Sequence, residues 1–214
     1  MPQPIWIVIP CFNEAARLPV DQFAGFAESH PQIHFLLVND GSQDGTGAVL
    51  ENLCQRLGDQ GQTLTLVSNQ GKAEAVRRGL KHLADQFGQD QILMGYWDAD
   101  LATPLEEIPR MAAVFTEQPE VSLVMGARVK LLGRSVLRNP WRHYLGRVFA
   151  TAAANVLGFA VYDTQCGAKM MRLTQEISEI LKAPFASRWV FDVELIARLR
   201  QLLATKGKLK PDQF

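Results

Sequence analysis

Two aspartates, Asp98 and Asp100, close the apolar run Ile92-Leu93-Met94-Gly95-Tyr96-Trp97, and their type and spacing suggest chemistry. Alternate side chains of an extended chain point the same way. Both carboxylates are therefore expected to face one spot beyond a strand tip, where open α/β sheets bind their ligands. Two anions held together repel, and a divalent cation relieves that. Oxygen ligands alone suit hard ions such as Mg²⁺ or Mn²⁺, and an ion held by two carboxylates keeps positions for substrate phosphates. The chemistry suggested is phosphate-linked. A solvated turn is the competing reading of the same pair, and the surrounding stretches decide between the two.

Those stretches repeat one pattern, a polar cluster after an apolar strand. Ile5-Trp6-Ile7-Val8-Ile9 is continuously apolar, as in a parallel strand covered on both faces. Pro10 is expected to end it, and Cys11-Phe12-Asn13-Glu14 to turn into a helix near Val20 to Ser29, with Phe23, Phe26 and Ala27 inward. His34 to Val38 forms the next strand and ends in Asn39-Asp40. Gly41-Ser42-Gln43-Asp44-Gly45-Thr46 then opens a helix with Val49, Leu50, Leu53, Cys54 and Leu57 at helical spacing. Asp40 suits a base N–H or a ribose hydroxyl; the alternative is that Asp40 and Ser42 close a turn or cap the helix. After a third strand, Leu64 to Val67, Lys72 falls near a helix N-terminus, where a cation is unhelpful unless an anion also sits there. A diphosphate would supply that anion, and a solvated lysine is the alternative.

Thr103-Pro104-Leu105-Glu106 reads as a complete capping box, and Val121 to Met125 as a fifth strand before Gly126-Ala127-Arg128. Met170 and Met171 lie in a further strand. Leu195, Ile196, Leu199, Leu202 and Leu203 mark a last helix, where Asp192 and Glu194 either complement the helix dipole or flank a substrate. No glycine-rich phosphate loop follows the first strand, which counts against dinucleotide and P-loop sites.

Strand-then-helix units in series predict an α/β chain with a mostly parallel, doubly wound sheet and helices on both faces. One domain is expected over residues 1–205, with 206–214 a polar tail and a point of truncation. Lys plus Arg and Asp plus Glu number 22 each, so no global basic field invites nucleic acid. The charge is uneven, however. Between Val121 and Tyr162 there is no acid, while Arg128, Lys130, Arg134, Arg138, Arg142 and Arg147 are all basic. Residues 140–162 read as an amphipathic helix with Trp141, Tyr144 and Phe149 on one face and Arg142, His143 and Arg147 opposite. It either packs on the sheet or lies on a membrane with anionic headgroups. Three cysteines without C-x-x-C spacing point to reduced thiols in the cytosol. No signal peptide or spanning segment is expected.

In their order and spacing, these motifs make the chain resemble the inverting, nucleotide-sugar-dependent glycosyltransferases of the GT-A fold, in the group that glycosylates polyprenyl or dolichyl phosphate. The resemblance rests on Ile9 to Glu14, Val38 to Thr46, Asn69 to Lys72, Asp98 to Asp100, Gly126 to Arg128, Asp163 to Gly167 and Arg188 to Glu194. It implies that Pro10, Asn13, Glu14 and Asp40 line a nucleoside pocket, and that Asp98 and Asp100 hold ribose, diphosphate and a Mg²⁺ or Mn²⁺ ion. It further implies that Lys72 approaches the diphosphate, and that Arg128, Gln165, Lys169 and Asp192 lie on the acceptor side. Gln165-Cys166-Gly167 and Phe191-Asp192-Val193-Glu194 look more like dolichyl-phosphate β-glucosyltransferases, which use UDP-glucose, than like the GDP-mannose enzymes of the group. Ala168 stands where the family usually has an aromatic residue, and Ala73 where it often has glycine. The implied partners are a nucleotide-sugar donor, a lipid-phosphate acceptor and the cytoplasmic face of a membrane, touched peripherally. A transferase to a hydroxyl acceptor, with Asp192 or Glu194 as general base, and a nucleotide-binding domain without turnover are the other two readings.

Overall fold

The computed structural model describes residues 3–89, 91–126, 166–188 and 190–207. In chain order its elements are β1 (Ile5–Cys11), α1 (Val20–Ser29), β2 (Ile33–Asn39), α2 (Thr46–Leu57), β3 (Gly61–Thr65) and α3 (Lys72–Gln86). Then come β4 (Leu93–Trp97), α4 (Glu107–Glu117), β5 (Leu123–Met125), β6 (Ala168–Arg172), α5 (Gln175–Ile180) and α6 (Phe191–Thr205).

The strands form one sheet in the order β3-β2-β1-β4-β6-β5. Pairings from β3 through β4 are parallel, whereas β6 runs antiparallel to both β4 and β5. Alternation along β1 shows why the sheet is covered twice. Ile5, Ile7 and Ile9 join Phe35 and Leu37 under α1, α2 and α4, while Trp6 and Val8 join Leu36, Val38, Met94 and Tyr96 under α3, α5 and α6. The expected doubly wound, mostly parallel sheet is the architecture found. β1 and β4 are neighbours although β2 and β3 extend from the other side of β1, which makes the β1/β4 boundary the topological switch point.

Local expectations differ from the structure at four places. Pro10 does not end β1, which runs on to Cys11 past its last pair with β4, Val8↔Tyr96. There β1 has only β2 beside it, and a missing N–H is tolerated. β3 lies earlier than its apolar run suggests, because register with β2 (Phe35↔Gly61 to Asn39↔Thr65) outweighs hydrophobicity, and Val67 is fully exposed. Thr103 caps nothing: α4 starts at Glu107 without a side-chain cap, and the Thr103 hydroxyl instead lies 3.6 Å from Cys166 Sγ. The short helix α5, capped by Thr174, which accepts from Ile177 N, is additional to the expected elements. The helix expected over residues 140–162, Arg128 and Gln165 fall outside the described residues.

Candidate active site

At the switch point, β4 ends at Trp97 and the chain turns at once, with Leu101 N donating to Asp98 O at 3.1 Å. Leu101 takes φ +53°, a left-handed conformation costly for a leucine. Strand alternation therefore does not aim the two acids, as the sequence suggested; a strained turn does. The Asp98 carboxylate points inward. Asp98 N donates to Gly167 O at 3.0 Å, and a Cβ placed on Gly167 would stand 1.8 Å from Asp98 Oδ2, so only glycine admits this approach. Asp100 is exposed and its Oδ1 accepts from Ala102 N at 3.0 Å.

Lys72 is the first residue of α3, and its Nζ pairs with Asp98 Oδ1. The cation at the helix start and the acid at the strand tip are thus brought together. Both remain reachable, with side chains 43% and 30% exposed. Before Lys72, Gly71 has φ +90°, and its N–H and that of Gln70 each donate at 2.8 Å to the two oxygens of Asp40, which is buried. Asp40 closes neither its own turn nor α2; it shapes the loop that presents Lys72. Arg188 also reaches this loop, its Cδ lying 3.7 Å from where a Gly71 Cβ would be. Arg188 opens the Arg188 to Glu194 stretch, in which the sequence marks Asp192 and Glu194 as site candidates and leaves Arg188 without a role.

The loops after β1 and β2 are laced together. Asn13, at φ +53°, receives Gln43 N on its Oδ1 at 3.0 Å, while its own N donates to Ser42 Oγ at 3.1 Å. Glu14 N donates to Thr46 Oγ1 at 2.8 Å, and Ala15 N to Asp44 Oδ2 at 3.3 Å. The Thr46 hydroxyl, followed by backbone N–H donors, holds the Asp44 carboxyl below its usual range. Glu14 Oε1 pairs with Arg17 at 2.8 Å. Asn13 and Glu14 thus sit on one laced rim that follows Pro10 at the end of β1, with Phe12 exposed beside them.

Lys169 and Asp192, which the resemblance assigned to the acceptor side, are buried against each other. Lys169 is 0% and Asp192 6% exposed, with Lys169 Nζ 2.6 Å from Asp192 Oδ1 and 2.9 Å from Cys166 O. The same Oδ1 accepts from the Tyr96 hydroxyl. Burial first, then the Asp192 charge, holds Tyr96 well above the tyrosine range; burial pulls Lys169 down while Asp192 opposes it. Tyr96 read as a core residue in sequence, because its pairing with Lys169 is a matter of strand register.

Among the described residues, no three His, Cys, Asp or Glu side chains gather as a metal site. The oxygen-only pair Asp98 and Asp100 nonetheless fits a hard divalent ion completed by phosphate. A cation, the Lys72 ammonium, already lies on Asp98, and Asp100 faces solvent.

A parallel half-sheet with its switch point between β1 and β4, extended by one antiparallel strand, is the GT-A architecture of glycosyltransferases. The chain belongs to glycosyl transferase family 2, matched over residues 6–175. It is 32% identical over 205 residues to the dolichyl-phosphate β-glucosyltransferase of Mus musculus, covering 89% of this chain and 61% of that protein. It is 30% identical over 204 residues to the Homo sapiens protein of the same name, covering 89% and 61%. The chain therefore spans about three fifths of these relatives. Among solved structures, glucosyl-3-phosphoglycerate synthase of Mycobacterium tuberculosis, with Mn²⁺, UDP and glucosyl-3-phosphoglycerate, aligns with a TM-score of 0.62. That alignment has 20% identity and covers 97% of this chain and 67% of that one.

Proposed function

We propose that this chain transfers a sugar, glucose in our reading, from a UDP-linked donor to a polyprenyl or dolichyl phosphate with inversion, as one domain over residues 1–205. The single observation that carries it is the Lys72–Asp98 pair at the sheet's switch point, an exposed cation and an acid held ready to exchange each other for a diphosphate and its counter-ion. The relatives' names and the matched UDP complex support the sugar, the acceptor and the nucleotide.

In this reading the nucleoside lies along the laced rim of Pro10, Asn13 and Glu14, with Asp40 beneath it. The diphosphate meets Lys72 and the loop that Asp40 shapes. Asp98 and Asp100 would hold Mg²⁺ or Mn²⁺, which when bound supplies positive charge for the leaving diphosphate. An acceptor phosphate oxygen attacks the anomeric carbon, its bond to the donor phosphate breaks, and UDP departs. No proton need move, since a phosphate monoester is largely dianionic at pH 7. Positioning and charge then do most of the catalysis. The burial of Asp192, whose Oδ1 already accepts from two donors, favours this base-free route over a hydroxyl acceptor.

The basic run from Arg128 to Arg147 supports contact with anionic lipid, and three free cysteines are in keeping with the cytoplasmic face. Among the described residues no helix is long and apolar enough to cross a membrane. The test uses radiolabelled UDP-glucose and a short prenyl phosphate, with Mn²⁺ or with EDTA. Label entering the organic phase only with metal is the expected result; label staying in water, or equal transfer in EDTA, overturns the reading.

A further inference from the structure

Tyr96 and Lys169 face each other across β4 and β6 as register partners, with the Lys169 ammonium 5.4 Å from the Tyr96 ring centroid. Asp192, in the first turn of α6, receives both donors on Oδ1. All three side chains are buried, so none is open to a lipid acceptor. Lys169 Nζ also donates to Cys166 O, and the next residue, Gly167, accepts from Asp98 N and packs on the Asp98 carboxylate. A continuous path thus runs from α6 through Lys169 and the Cys166–Gly167 turn to Asp98.

We propose that Tyr96, Lys169 and Asp192 are positioning residues for Asp98, acting through the Cys166–Gly167 turn. Burying an ion pair is expensive, and well-packed apolar replacements often match or exceed its stability. A chain that keeps this cluster beneath Asp98 gains directional hold: an ammonium pins one carbonyl at a defined angle, which apolar packing does not. Because Gly167 brings no side chain of its own, the carbonyl bond is what fixes the wall against which Asp98 rests.

The inference deepens the proposed function, resting on Asp98 as the acid that meets metal and diphosphate, and two readouts keep the two claims apart. The first uses ligand-free protein. In the triple variant Tyr96→Phe/Lys169→Met/Asp192→Leu, hydrogen exchange at the Asp98 amide should quicken at least ten-fold, while amides of β1 and β2 keep their rates. Tyr96→Phe alone, which removes a hydroxyl and no charge, should quicken it several-fold and provides the test if the triple variant does not fold. Unchanged exchange at Asp98 in the folded variants overturns the positioning role, as does equal quickening throughout the sheet. The second readout is calorimetry with UDP, with and without Mn²⁺. The Mn²⁺-dependent gain in UDP affinity should shrink about ten-fold in the variants, with the metal-free affinity within two-fold of the parent. A uniform loss with and without metal marks a merely structural role and overturns the proposal. If the parent itself binds no UDP, the functional reading fails, while the exchange result still decides the positioning claim.

Discussion

Lys72 and Asp98 serve as each other's counter-ion, and both stay partly exposed. In the proposed function, a divalent ion arriving alone would have to displace the ammonium from Asp98, whereas one arriving with a diphosphate would find Lys72 drawn to the phosphates. Half-exposed ion pairs contribute under about 1 kcal/mol. Lys72→Met should therefore strengthen Mn²⁺ binding to the nucleotide-free protein by roughly two- to five-fold, yet weaken UDP binding in the presence of Mn²⁺. Electron paramagnetic resonance of free Mn²⁺ checks the first effect and calorimetry the second; weaker Mn²⁺ binding in the variant would contradict this exchange. Gly167 makes the complementary point. Its Cβ would fall 1.8 Å from Asp98 Oδ2, so Gly167→Ala must push the carboxylate aside. Small misplacements of a reacting group cost on the order of 10²-fold in rate, and kcat/KM should fall by about that much with little change in melting temperature. Asp98 and Lys72 were legible in sequence as a strand tip and a helix start. The cluster of Tyr96, Lys169 and Asp192 was not, because it depends on which residue of β6 sits opposite β4.

Loops carry the site and two arginine clamps brace one of them. Arg77, on α3, donates to Leu181 O at 2.8 Å and pairs with Glu74, while Arg198, on α6, reaches Ile180 O, Ala183 O and Pro184 O. Between them they hold the backbone that leads to Arg188. Glu74 reports on the clamp through pH. The Arg77 hydrogen bond, ahead of that from Arg78, holds its carboxyl below the ordinary glutamate value of 4.5. The folded state thus favours the charged form, and the stability this contributes is full above about pH 4.5 and drains as pH falls through the lower folded value. Melting temperature should decline below pH 4.5 less steeply in Glu74→Gln than in the parent, and parallel curves would show that the clamp does not titrate. Helices with strong periodicity, such as α1 and α3, could be read directly from sequence. The start of α4 could not: Thr103, Pro104 and Glu106 satisfy a local capping rule, but Trp97 Nε1 donates to Thr103 O at 2.8 Å and Thr103 Oγ1 lies by Cys166, so tertiary contacts hold that loop.

Across the whole molecule, the alternation of Ile5, Ile7 and Ile9 against Trp6 and Val8 announces a sheet covered on both faces. The antiparallel insertion of β6 between β4 and β5 is not announced, since Ala168 to Arg172 pairs with strands far away in sequence. The acid-free basic stretch concentrates positive charge in one part of the sequence, which the net charge conceals. Sedimentation with anionic liposomes at low salt is expected, and replacing Arg142 and Arg147 by Glu should release the protein at ordinary salt. Equal binding to neutral and anionic vesicles would contradict that electrostatic account. The central claim is that a phosphate monoester, needing no base, is the nucleophile. Its most direct measurement is kcat/KM for transfer to a short prenyl phosphate across about pH 5.5 to 8.5, a range spanning the second phosphate pKa near 6, for the parent and Asp192→Asn. The account predicts a rise through about pH 6 as the acceptor loses its second proton, with Asp192→Asn lowering the curve and leaving its shape intact. An acidic limb that disappears in Asp192→Asn would make Asp192 a general base and contradict the account.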